Sequence, residues 1–151
     1  MLRLALALFG VTLCLLVSNP RLSEAIPSAA LSIVDDLIVG DVSGKGFAAA
    51  LVMARFSVEV RDCLPSEESL HQTVRRLNAR LRPISVTSRF ITLGAMILDP
   101  LTHSVTLVNA GHPSPFLLHR ATGSIEELDD ETTGGPPLGV MGDYEYAPLE
   151  F

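Results

Sequence analysis

Asp41 is the residue whose type and setting could carry chemistry, within the stretch VGDVSGKGFAAALVMA, Val39 to Ala54. The stretch joins an acid, a lysine and several glycines, and it lies between an apolar run and a helix-like run. Two kinds of chemistry use such parts. A phosphate-cradling loop needs G-x-x-x-x-G-K-[S/T]. With Gly44-Lys45 as the G-K pair, the first glycine position is held by Val39, and the hydroxyl position by Gly46. The dinucleotide fingerprint G-x-G-x-x-G fails because Val42 stands where its second glycine belongs. A nucleotide site is therefore excluded. A metal site fits better. Asp41 closes the apolar run Leu37-Ile38-Val39, so its carboxylate falls at the end of a buried strand. The following glycines let the backbone turn sharply, and a helix starts near Gly46 or Phe47 with free N–H groups at its end. Carboxylate and carbonyl oxygens suit magnesium or manganese. An Asp-Val-Ser-Gly turn that merely caps a helix uses the same residues, and both readings stand at this point.

The elements that would position this stretch follow from periodicity. Phe47 to Leu64 is rich in Ala, Leu and Met, with apolar residues at helical spacing (Phe47, Ala50, Leu51, Ala54, Val58), and Pro65 ends it. Ser66 is a suitable N-cap for a second helix, with Glu67 and Glu68 in its first turn. Leu70, Val74, Leu77 and Leu81 then form one stripe, Arg80 and Arg82 favour the C-terminal end, and Pro83 stops the helix. The short link predicts antiparallel packing of the pair. From Phe90 the pattern becomes that of strands: RFITLGAMILD, VTLVNAG, PFLLHR and the short IEEL, separated by the turns DPLTHS and ATGS. TTGGPPLGVMGD reads as a loop, and YEYAPLEF as the start of another strand. The expected class is α+β, an antiparallel strand meander covered by a helix pair.

The bulk numbers restrict the partners. The 151 residues suffice for one domain, and a net charge of −6 leaves no basic face for nucleic acid. The basic cluster Arg75 to Arg82 reads as a solvated helix face. The two cysteines, Cys14 and Cys63, build neither a disulfide framework nor a zinc site. Residues 1–25 carry Arg3, an apolar core from Leu4 to Val17 and small residues before Ala25, the pattern of a secretory signal peptide. The apolar run is shorter than the roughly 20 residues of a spanning helix, so a membrane anchor is not expected. The alternative is a misassigned start joined to a domain, 31–151.

GDVSGKGFAAALVMA resembles the signature of the SpoIIE/RsbU-type protein serine phosphatases, within the metal-dependent PPM phosphatase superfamily. The Phe-x-Thr strand (Phe90 to Thr92), the motif Asn109 to Pro113 and the motif Pro136 to Val140 are similar to the family's next segments, in order. The resemblance implies a layered β-sandwich flanked by antiparallel helix pairs, incomplete here. It implies hydrolysis of phosphoserine or phosphothreonine in a cytoplasmic regulatory protein such as an anti-sigma-factor antagonist. It also implies two manganese or magnesium ions that activate water. Carried over by motif, Asp41 would bridge both ions and the Val42 carbonyl would add an oxygen, with Gly44, Lys45 and Gly46 shaping the cleft edge. Asn109, Gly111 and His112 belong to a motif of unassigned role; a histidine so placed also reads as structural.

The same resemblance implies further acidic ligands: one from a Gly-Gly-Asp motif on a preceding strand, others from Asp-Gly and Asp-Asp motifs further on. Neither a Gly-Gly-Asp nor an Asp-Gly motif occurs in these 151 residues, and the family's final Asp-Asp motif is expected beyond the position of Phe151. Asp35 and Asp36 lie too close to Asp41 to face it across a hairpin, and Asp99, Asp129, Asp130 and Asp143 read as solvated. The expectation is a truncated phosphatase domain with one clear metal ligand. The alternative is a catalytically inactive relative that binds a phosphoprotein.

Overall fold

A computed structural model describes residues 12–18, 35–64, 69–82, 89–99, 102–119, 122–128 and 134–151. Its central element is strand β2 (Asp35–Val42), paired antiparallel on one side with β1 (Thr12–Ser18) and on the other with β3 (Ile91–Asp99). Strand β4 (Ser104–Ala110) continues the sheet antiparallel to β3. Helices α1 (Phe47–Cys63) and α2 (Leu70–Leu81) cover one face. The class is α+β, as the sequence indicates.

Alternation along the strands sorts the two faces. Ile38, Gly40 and Val42 of β2, Ile91, Leu93 and Ala95 of β3, and Val108 and Ala110 of β4 are buried on the helix side. Leu37, Val39 and Asp41, with Thr92, Gly94 and Met96, lie on the other side and are only partly covered. The α2 stripe Leu70, Val74, Leu77 and Leu81 is buried as its spacing predicts. The stripe on α1 differs from expectation. Ala49, Met53, Phe56, Val60 and Cys63 are buried, whereas Phe47, Leu51 and Val58 are 80%, 55% and 66% exposed. Apolar residues occur all round this helix, so periodicity fits two stripes, and contact with the sheet selects one. The selecting contact is Phe56 on Gly40: a Cβ there would lie 2.6 Å from the ring, so β2 needs glycine for the close approach.

The helices run antiparallel. Arg80 near the end of α2 reaches back to mid-α1, where Arg55 donates to its carbonyl and Glu59 pairs with its guanidinium, whereas Arg76, one turn earlier in α2, acts on Asp62 and Cys63 at the end of α1. Helix α2 starts at Leu70 with Ser69 as its N-cap, not after Ser66; residues 65–68 lie outside the described segments. Asn78, fully buried, ties α2 to the following loop. Its Oδ1 accepts from the Gly139 N–H at 2.9 Å, and its Nδ2 donates to the Met141 carbonyl at 2.6 Å.

The remaining strands depart from a simple meander. Strands β5 (Phe116–His119) and β6 (Ser124–Glu127) form a separate two-stranded hairpin. Strand β7 (Gly134–Gly135), inside the stretch read as a loop, pairs parallel with Asn109–Ala110, and β8 (Leu149–Glu150) pairs antiparallel with β4. Of the 1–25 segment, the described part is strand β1. No described helix is long and apolar enough to cross a membrane.

Candidate functional site

Asp41 is the penultimate residue of β2, half-buried on the face away from the helices. Its neighbours in register are Thr12 on β1 and Thr92 on β3, so neither flanking strand sets an acid opposite it. Asp35 and Asp36 sit at the other end of β2. Asp99 ends β3, where its Oδ1 accepts the Thr102 N–H at 3.3 Å, and Asp143 is exposed in a turn. Asp129 and Asp130 lie outside the described residues.

The turn after Asp41 is held by the chain entering β3. Ser43 N–H donates to the Phe90 carbonyl at 2.9 Å, and Phe90 N–H donates to Ser43 Oγ at 2.8 Å. Arg89 Nη1 donates to the Ser43 carbonyl at 3.2 Å. Gly44 has φ 97°, a left-handed conformation that demands glycine, and the Arg89 guanidinium packs over it. Gly46 is the N-cap of α1, which has no side-chain cap, and Lys45 is exposed between them. The Val42 side chain faces the core at 3% exposure, which leaves only its backbone for any role on the open side.

The third part comes from the end of β4. Asn109 Oδ1 accepts the His112 N–H and Asn109 Nδ2 donates to the His112 carbonyl, both at 2.8 Å, closing the turn through Gly111. The His112 ring then reaches back over β3, with Nδ1 at 3.0 Å from Thr92 Oγ1. Burial pushes the His112 pKa down from its ordinary value, and the Asp41 carboxylate opposes this. Asp41, Thr92 and His112 thus share one face. Below them lies a largely apolar groove of about 340 Å³, lined by Leu37, Val39, Met96, Leu107 and Pro115 among others.

The structure therefore brings Asp41 and His112 together, with Asn109 as the clamp and Gly44 beside the turn. Sequence reasoning gave no role to Ser43, Arg89 or Thr92. Thr92 carried a signal, as the last residue of the Phe-x-Thr strand; Ser43 and Arg89 act through contacts 46 and 47 residues apart in sequence, which no local pattern records. Whether these residues fit a two-ion centre can be tested on donor chemistry. Such ions take many oxygens, yet among the described residues no three His, Cys, Asp or Glu side chains converge as a metal site. The described residues alone do not make that centre, and no chemical step is assigned to an ion on them.

The fold, a sheet covered on one face by two antiparallel helices, matches that of solved PP2C-like phosphatase structures. The sequence matches the family Stage II sporulation protein E (SpoIIE) over residues 36–151, and the chain belongs to that family. Similar solved structures include the RsbU and RsbW domains of Rv1364c from Mycobacterium tuberculosis, with TM-score 0.73 and 21% identity, covering 96% of this chain and 36% of that one. The PP2C phosphatase domain of SpoIIE from Bacillus subtilis, with a fragment of its regulatory domain, gives TM-score 0.66 and 14% identity, covering 93% and 37%. RsbX in complex with magnesium gives 0.59 and 17%, covering 93% and 66%. At these identities the likeness is one of fold. The chain spans between 36% and 63% of the length of the first four solved relatives. No curated protein matches.

Proposed function

We propose that this chain is part of a metal-dependent protein serine/threonine phosphatase, acting on phosphoserine or phosphothreonine in a regulatory protein such as an anti-sigma-factor antagonist. The observation that supports it is the placement of Asp41: a strand-end carboxylate on the open face of the sheet, beside a turn clamped by Ser43, Arg89 and Phe90, in a chain of this family. In this reading the Asp41 carboxylate and the Val42 carbonyl contribute to the manganese or magnesium centre that such phosphatases use. Gly44, Lys45 and Gly46 shape the approach, and Asn109, Gly111 and His112 form the opposite edge. When bound, the ions supply an activated water and charge neutralisation at phosphorus.

The partner in this reading is a phosphoprotein in the cytoplasm, with residues 31–151 as the phosphatase part. For 1–25 we retain two proposals, a misassigned start or an export signal, and a mature form beginning near Ile26 outside the cytoplasm would decide for export. The experiment for the function is manganese-dependent release of phosphate from a phosphoserine peptide, compared with Asp41→Ala. Loss of release in the variant is expected; equal release from both proteins would sink the reading.

A second reading, a phosphoprotein-binding module without turnover, draws on the donor set: among the described residues no three His, Cys, Asp or Glu side chains converge as a metal site. Calorimetric titration with manganese separates them, because two-site binding supports the enzyme and no binding supports the module.

A further inference from the structure

His112 is held more firmly than packing requires. Its backbone is fixed at both N–H and carbonyl by the Asn109 amide. Its ring lies against β3, with Nδ1 on the Thr92 hydroxyl and Cδ2 3.5 Å from the place where a Gly94 Cβ would stand. One ring nitrogen, Nδ1, is thereby occupied. The remaining ring nitrogen, Nε2, has no hydrogen-bond partner among the described residues, and Thr92, which the ring contacts, is the register partner of Asp41 on β2. A neutral imidazole carries its proton on one nitrogen only, and the bond made by the other decides which.

We propose that the Thr92 hydroxyl donates to His112 Nδ1, fixing the tautomer with its proton on Nε2, and that this N–H donates to a phosphoryl oxygen of a phosphate monoester bound in front of Asp41. This deepens the phosphatase reading and rests on it. Thr92 and Asn109 are then positioning residues. His112 is the group that touches substrate, and its task is orientation through a hydrogen bond, with no bond made or broken at the ring.

The tautomer is read by long-range ¹⁵N–¹H correlation on the labelled full chain, with the His112 signals assigned by their loss in His112→Gln. Inorganic phosphate is then titrated with magnesium present. The expected result is an Nε2–H tautomer before any addition and a saturable shift of Nε2 as phosphate is added. Thr92→Val should mix the tautomers and weaken phosphate binding by about tenfold, the scale of one hydrogen bond. His112→Gln, whose side-chain amide offers N–H near the same place, should keep most of the affinity that His112→Ala loses, at unchanged melting temperature. An Nδ1–H tautomer in the wild-type chain overturns the proposal. So does the absence of any phosphate-induced change at His112, or equal affinity in His112→Ala. The tautomer is measured without turnover, so its outcome is separate from that of the Asp41→Ala hydrolysis experiment.

Discussion

The two faces of the central sheet are built from the same three strands and differ in almost every other respect. On the helix side, Ile38, Leu93, Ala95 and Val108 meet Phe56, Val60, Val74 and Leu77, and all of them are essentially inaccessible to solvent. On the opposite side, Asp41, Thr92 and His112 stand above a groove of about 340 Å³. The helix face uses polar groups as ties: Asn78 holds the 139–141 turn and Tyr146 donates to the Pro136 carbonyl at 2.9 Å. The open face leaves its ionisable groups partly exposed. What this teaches is a division of labour, in which alternation along a strand puts stability on one side and reactive groups on the other.

That division can be broken by mutation. The largest effect is expected at Phe56, which fills the space over Gly40. Phe56→Ala should cost about 3–5 kcal/mol, from lost burial and an unfilled cavity, read as a drop in denaturant midpoint. Asn78→Leu comes next. It removes the acceptor for the Gly139 N–H and the donor for the Met141 carbonyl, and should cost about 2 kcal/mol, with the added effect of loosening the 139–141 turn.

Tyr146 sharpens the comparison through pH. Its phenol is buried in the helix-side cluster, and burial, aided by Tyr144, raises its pKa to about 12. The native state therefore keeps a proton that the unfolded chain releases near pH 10, so stability is complete below about pH 10 and falls as pH rises toward 12. Tyr146→Phe should flatten that alkaline limb, and an unchanged limb would show that another group causes it. The smallest effect is expected on the other face. Met96→Ser, beside the groove, should change stability by less than about 1 kcal/mol, in keeping with a side chain that is only half covered. A loss comparable to that of Phe56→Ala would erase the distinction between the faces.

Legibility in sequence followed the same physics. The α2 stripe was readable because His71, Gln72, Arg75 and Arg76 leave one apolar face. On α1 the period alone does not choose a stripe, because Phe47, Leu51 and Val58 satisfy it as well as Met53, Phe56 and Val60, and Gly40, where Phe56 makes its close approach, marks the face that meets the sheet. Strand β2 and its terminal Asp41 were visible as an apolar run broken by glycine. Strand β7 was not, because two glycines pairing parallel to β4 carry no side-chain alternation. The β5–β6 hairpin was read as strands but not as a separate sheet, since pairing partners are a tertiary fact. At the site, Asp41 and the Asn109–His112 motif were found locally. Their junction through Thr92 depends on the register of β2 on β3, which places Thr92 opposite Asp41.

The central claim is that Asp41 serves the open face and contributes little to packing. The most direct measurement compares wild-type chain and Asp41→Asn by thermal melting and by calorimetric titration with manganese, on the same preparations. The account predicts coincident melting curves and manganese binding that is present in the wild type and lost in the variant. Equal manganese binding by both proteins, or a variant whose binding fails only because it no longer folds, would contradict it.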